Sequence, residues 1–244
     1  METHRMNSVL VVGATSSLAQ AMCQALAKKG YALVLAARDA EELDLLAVDL
    51  TTRFGVTVTT VVCDFLAKGY SSQALIQQAI HFDHVVIATG DMGSGDPADT
   101  ADLARTMYIN YTVPAEIATL AALQLSEKKT GTITLVGSVA GDRGRQSNYA
   151  YGSAKAALAT FASGLRNRFC KSGVHVMTVK PGFIDTPMTW GMKSPLIASR
   201  EYVAEQIVIA MQKKKNVVYV PFFWRYIMLI IIHIPEAIFK KLSL

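Results

Sequence analysis

Short runs of β-branched and other apolar residues alternate along the chain with longer stretches whose apolar positions recur every three or four residues. The runs VLVV (9–12), ALVLAA (32–37), VTVTTVV (56–62), HVVIAT (84–89), TITLVG (132–137), VHVMTV (174–179) and NVVYV (216–220) predict strands. They are almost continuously apolar, the pattern of strands buried on both faces of a parallel sheet. Between them, 16–30, 39–55, 73–80, 101–125, 149–169 and 199–212 read as helices. The first two end at Gly30 and Gly55, where helix C-caps are expected. With right-handed crossovers, this alternation predicts a single α/β domain, a doubly wound parallel sheet of the Rossmann type. It has about seven strands, carries helices on both faces, and spans residues 1–220. Its ligand crevice belongs at the carboxyl ends of the strands. Residues 221–244 stand apart as an apolar C-terminal tail.

The 244 residues suffice for one well-buried domain. Hydrophobic residues make up 51% and charged residues only 18%, so some region is unusually apolar. The net charge of +5 comes without a dense Lys/Arg run interleaved with aromatics, which argues against nucleic acid as a partner. Cys23, Cys63 and Cys170 show neither CxxC nor Cys/His spacing, so reduced thiols in a cytoplasmic setting and no metal site are expected. The opening METHRMNSVLVVGATSS does not read as a signal peptide, because VLVV is too short for its apolar core.

Gly13 follows the first strand directly and a helix comes next. A glycine permits the tight turn, and Ser16 and Ser17 can cap the helix, whose free N–H groups favour a pyrophosphate. An ordinary βα turn with a serine cap reads the same way. Arg38 follows the second strand, where a dinucleotide fold meets the adenosine ribose; an arginine there accommodates a 2′-phosphate, an acid the free hydroxyl. Asp39 comes next, so NADP(H) is favoured and NAD(H) is the alternative. Asp64, after the third strand, either accepts from an adenine amino group or caps a helix.

Ser138 ends the fifth strand at the expected crevice. Tyr151 lies thirteen residues on, early in a helix, with Lys155 one turn further on the same face. Reducing a ketone requires a proton donor at the developing alkoxide. A tyrosine serves if a neighbouring ammonium draws its pKa down from about 10. A serine hydroxyl can hold the carbonyl beside the phenol, and Asn110, in a helical stretch that also contains Pro114, can orient a water leading to Lys155. Each residue alone also reads as a cap, a solvated asparagine or a chance i,i+4 pair.

Together these residues resemble the short-chain dehydrogenase/reductase family. Its marks are here VGATSSLA, Asp64, ATG (88–90), Asn110, Ser138, YGSAK (151–155) and PGFIDTPM (181–188), over residues 8 to about 220. The chain departs from the family where Ser17 and Ala19 replace the second and third glycines of the turn and Ile87 replaces an asparagine. The resemblance implies an NAD(P)-dependent oxidoreductase with Asn110, Ser138, Tyr151 and Lys155 as catalytic tetrad. It implies cofactor contacts at Gly13, Thr15, Ser16, Ser17, Leu18, Arg38, Asp64, Phe65, Ala88, Thr89, Gly90, Tyr151, Lys155, Pro181, Gly182, Ile184 and Thr186. A homo-oligomer built on the helices holding Asn110 and Tyr151 is implied as well.

The tail's longest uncharged stretch, Tyr226 to Pro235, is short of the ~20 residues that span a bilayer. Trp224, Tyr226, Lys240 and Lys241 flank it with interfacial residue types, which predicts a segment lying on the cytoplasmic face of a membrane. A buried arm over the cleft or at a subunit interface is the other reading. The tail, with YINYT (108–112), GDRGRQSNYAYGSAK and REYVA (200–204), also resembles reductases of polyprenyl-phosphate-linked keto-sugars. That resemblance implies a lipophilic ketone substrate and gives Arg143 and Arg145 a lipid phosphate to bind. A solvated loop is the plainer reading of the two arginines. Reduction of another lipophilic ketone or an acyl-thioester, and a non-catalytic dinucleotide-binding scaffold or redox sensor, remain open.

Overall fold

The structure is a computed structural model that describes residues 7–96 and 99–242. The opening residues 1–6, the first part of the stretch 1–17 read against a signal peptide, and the last two of the tail lie outside that range.

Seven strands form one parallel sheet in the order β3-β2-β1-β4-β5-β6-β7. They are β1 (Ser8–Val12), β2 (Ala32–Ala37), β3 (Val58–Val62), β4 (His84–Ile87), β5 (Thr132–Val136), β6 (His175–Pro181) and β7 (Val217–Val220). Successive side chains point to opposite faces, and both faces are covered. Val9 and Val11 pack under α1 (Ser17–Ala27), α2 (Ala40–Phe54) and α7 (Arg200–Gln212). Leu10 and Val12 pack under α3 (Ser72–Gln78), α5 (Val113–Glu127) and α6 (Tyr149–Phe169). The edge strands β3 and β7 depart most from the all-buried pattern. β3 exposes Thr59, Thr60 and Val62, because an edge strand is covered less completely than its neighbours.

Gly55 ends α2 in the left-handed conformation, at φ +67°. Helix α1 stops sooner than its sequence pattern, at Ala27, and Gly30 closes the following turn by donating to the Ala27 carbonyl. The predicted helix 101–125 is three pieces: α4 (Thr100–Met107), a π-turn at Tyr108–Thr112, and α5. Pro114 has no N–H for the carbonyl of Asn110 four residues before it, so a regular ladder cannot run through this point.

The switch in strand order between β1 and β4 opens the crevice at their carboxyl ends. The tail forms α8 (Trp224–His233) and α9 (Glu236–Phe239). Trp224 and Met228 are buried with Val139, beside Phe183 and Ile231. The expectation of Trp224 as an interfacial side chain is therefore corrected. Its indole stands edge-on to Phe183, with ring centres 5.0 Å apart, and lies so close on Gly182 that a Cβ there would fall 1.8 Å from the indole nitrogen. The opposite face of α8 leaves Tyr226, Leu229 and Ile230 exposed.

Candidate active site

The turn after β1 is built around Gly13, which adopts φ +78° and lies against the Ala88 carbonyl, where a Cβ would come within 3.0 Å. Ser16 occupies the N-cap of α1 without a side-chain bond to the helix, its hydroxyl 3.5 Å from the Ala88 carbonyl. The first-turn N–H groups of α1 therefore have no side-chain acceptor at the cap, which is what an incoming pyrophosphate requires. Ser17 opens the helix and Ala19 is fully buried, so both glycine replacements are small enough for the turn.

From this turn a cavity of about 390 Å³ runs past Gly13, Thr15, Ser16, Arg38, Asp64, Phe65, Ala88, Thr89 and Gly90. Asp39 is occupied as the N-cap of α2, its carboxylate accepting from the Glu42 N–H at 3.0 Å. Arg38 is exposed at the cavity wall and forms no ion pair among the described residues. Asp64 accepts from the Leu66 N–H at 3.0 Å and so braces its own turn, while Ser71 is the residue that caps α3.

A second cleft, of about 550 Å³, continues from Thr15, Ser16, Ser17 and Leu18 to Ser138, Tyr151, Lys155, Pro181, Gly182, Ile184 and Thr186. Gly152 follows Tyr151 in α6; a Cβ there would lie 2.8 Å from the Ala140 carbonyl. Its absence lets the turn after β5 rest on the helix, which sets the Ser138 hydroxyl, itself accepting from the Ala140 N–H at 3.0 Å, beside the Tyr151 phenol in the same cleft. Lys155 is buried, and its Nζ lies 5.6 Å from the centre of the Tyr151 ring. It donates to the carbonyls of Thr89 at 2.8 Å and Val136 at 3.2 Å.

Asn110 is fully buried. Its amide donates to the carbonyls of Asp91 and Thr106, and its Oδ1 accepts from the Asp91 N–H. It is therefore a brace of the loop after β4 and not a solvated mid-helix residue. Asn110 Oδ1 and Lys155 Nζ both lie within 3.8 Å of the same point above Gly90.

The electrostatics depart from the sequence expectation. Burial pushes the Tyr151 phenol up to about 12, and the Ser138 hydrogen bond only partly offsets this. Burial brings Lys155 down to about 7. The phenol thus stays protonated through neutral pH, and the lysine sits where it can both take and give a proton.

The two arginines separate. Arg143 does not line the cleft, which corrects its reading as a substrate contact. Its Nη1 donates to the carbonyls of Ile231, Ile232 and Ile234, and its Nη2 pairs with Glu236 at 2.9 Å. The unsatisfied carbonyls at the end of α8 are a ready acceptor set for a cation. Arg145 does line the cleft. Asn148, Met188 and Met192 line it too. Sequence reasoning had passed over them, though Asn148 and Met188 sit inside motifs already noted.

The pattern of short-chain dehydrogenases matches residues 7–196. The chain belongs to the short-chain dehydrogenase family. An uncharacterised oxidoreductase of Streptomyces coelicolor is 32% identical to this dehydrogenase over 96% of it and 95% of the relative. Another, of Mycobacterium tuberculosis, is 30% identical over 96% of each chain. Among solved structures, a short-chain dehydrogenase from Sphingobium yanoikuyae in complex with NADPH superposes with a TM-score of 0.82. It is 22% identical, over 95% of this chain and 98% of that one. The bulky-bulky ketone specific alcohol dehydrogenase from Comamonas testosteroni gives a TM-score of 0.80 at 21% identity, over 95% and 96%. This short-chain dehydrogenase is thus an oxidoreductase whose fold binds a nicotinamide dinucleotide.

Proposed function

We propose that the enzyme is a ketoreductase preferring NADP(H) to NAD(H) and that its substrate is a lipophilic ketone met at a membrane surface. The observation that carries this reading is the Tyr151 phenol, which shares one cleft with Ser138 and with a buried Lys155 whose Nζ lies 5.6 Å from the centre of the phenol ring. A bound reduced nicotinamide would supply hydride. The Ser138 hydroxyl then holds the carbonyl oxygen, and the phenol, protonated at neutral pH, gives its proton to that oxygen. Lys155, with its pKa near 7, returns a proton to the phenol, and the loop braced by Asn110 keeps the lysine in place. A nucleotide-binding scaffold has no use for this arrangement. Incubating the purified chain with NADPH and a panel of lipophilic ketones tests it: loss of NADPH absorbance with matched alcohol formation supports the reading, and none across the panel refutes it.

The NADP(H) preference is supported by Arg38 at the adenosine cavity and by Asp39 being occupied as a helix cap. Arg38→Ala should weaken NADPH roughly 10- to 100-fold, through loss of a charge-assisted contact, and leave NADH nearly unchanged. Titration of both cofactors by fluorescence reads this out, and equal losses for the two would remove the preference.

For the substrate, FFWRYIM with HIPEAIFKKL, YINYT, GDRGRQSNYAYGSAK and REYVA resemble decaprenylphosphoryl-2-keto-ribose reductase, the reductase half of a two-enzyme epimerase. A polyprenyl-phosphate-linked keto-sugar is the substrate we assign on that basis. A polyprenyl chain resides in the bilayer, so the reductase must approach the surface. No helix among the described residues is long and apolar enough to cross a membrane. The outer face of α8 instead supports surface docking, presenting Tyr226, Leu229 and Ile230 beside the basic Arg225, Lys240 and Lys241. Ile230→Asp, on the exposed face, should reduce co-sedimentation with anionic vesicles about tenfold, since it replaces an inserted apolar group by a charge that those lipids repel. Unchanged sedimentation would place the face elsewhere. The reading includes a homo-oligomer built on the helical stretch that holds Asn110 and on α6, which holds Tyr151; Tyr108 and Tyr111 of the π-turn, Leu120 of α5 and Phe161 of α6 line a groove there.

A further inference from the structure

We infer that Arg145 forms an anion-binding subsite in the substrate cleft, so that the ketone reduced here carries an oxyanion on an apolar skeleton. The inference rests on the ketoreductase reading above and names the chemistry its substrate must bring.

Arg145 lines the same cleft as Ser138 and Tyr151. It forms no ion pair among the described residues. The acid whose charge reaches it, Asp142, is already paired with Lys180 and accepts a hydrogen bond from the Tyr219 hydroxyl at 2.8 Å. The neighbouring Arg143 is paired with Glu236 and with three carbonyls of the tail. Among the described residues, Arg145 has one hydrogen bond, from Nη2 to the Met228 sulfur at 3.3 Å, and its Nε is buried without a partner. A thioether is a weak acceptor, and a guanidinium does not lose its charge. A half-buried cation left in this state is costly unless an anion faces it.

A second unsatisfied atom lies on the same wall. Asn148 Oδ1 is buried and receives no hydrogen bond among the described residues. It asks for a donor, such as a hydroxyl on the ligand. Val139, Phe183, Met188 and Met192 give the cleft an apolar portion as well. A ligand that satisfies all of these places its carbonyl at Tyr151, its oxyanion at Arg145, a hydroxyl toward Asn148, and carbon against the methionines. A lipid phosphate and a small water-soluble phosphate share the anionic part, and the apolar side chains of Val139, Phe183, Met188 and Met192 favour the first.

The test uses the full chain holding NADP⁺, titrated calorimetrically with geranyl phosphate, geraniol and glycerol 3-phosphate. We expect geranyl phosphate to bind at least about tenfold more tightly than either of the others. Arg145→Met should weaken geranyl phosphate roughly 10- to 100-fold, the loss of a charge-assisted bond, and leave geraniol unchanged. Arg145→Lys should recover part of that loss. Unchanged NADP⁺ affinity in both variants shows that the fold survives; if Arg145→Met fails this control, Arg145→Gln takes its place. Geranyl phosphate binding that ignores Arg145 overturns the subsite, and equal binding of glycerol 3-phosphate overturns its apolar half. Arg145-dependent binding with no ketone ever reduced would defeat the ketoreductase reading alone. Ketone reduction with Arg145-independent binding would defeat the subsite alone.

Discussion

Tyr151→Phe is expected to lower ketone reduction by roughly 10²- to 10⁴-fold while NADPH affinity stays within about twofold of the wild type. The substitution removes one oxygen and keeps the ring. That oxygen is the side-chain proton donor that shares the cleft with Ser138, where the carbonyl oxygen of the proposed substrate would rest. The cost is one of proton supply to a developing alkoxide, so it falls on kcat and spares cofactor binding. Burial holds the phenol at about 12, so the proton is present throughout the neutral range and its availability does not limit the wild-type rate there. Recharging is the sensitive step: Lys155, brought down to about 7, changes charge within that range. Stopped-flow NADPH oxidation with one ketone, in wild type and variant, checks the prediction. A variant within about threefold of wild type would remove Tyr151 from the chemistry.

Lys155 also makes the stability of the nucleotide-free protein depend on pH. Its pKa is about 7 in the folded chain, because burial disfavours the charged form, against 10.5 for an ordinary lysine. Between those values the unfolded chain binds a proton that the folded chain has released. Stability therefore rises with pH across that window, and the gain is lost as pH falls towards 7. Between pH 7 and 9 the rise amounts to about 2 kcal/mol. Towards pH 9 and above it is opposed by Cys23, Cys63, Tyr70 and Tyr151, whose raised pKa values keep protons that the unfolded chain gives up. Lys155→Met should remove the rise. Urea midpoints of both proteins at pH 7 and pH 9, without added nucleotide, measure the difference, and parallel slopes would show that the lysine stays charged when buried.

Much of this was readable from the linear chain, for physical reasons that particular elements show. ALVLAA (32–37) and the helix 149–169 occupy the predicted spans because a strand buried on both faces and a helix with an apolar stripe leave unmistakable periods. The crevice followed from strand order, which right-handed crossovers restrict to few choices. Asn110 was harder. A proline at i+4 signals an interrupted helix, but a π-turn that buries the asparagine against Asp91 and Thr106 depends on where the loop after β4 lies.

By itself, the sequence determined the layered parallel sheet, the first-turn glycine and the spacing that sets Ser138, Tyr151 and Lys155 in order along the chain. These rest on local period, backbone conformation and separations of a few residues. The tertiary structure alone decided that Arg143 holds the tail while Arg145 faces the cleft, that Trp224 turns inward, and that burial rather than the lysine's charge governs the phenol. Each of these depends on which atoms from distant segments exclude water around a side chain, and two residues with the same chemistry, two positions apart, can meet opposite surroundings.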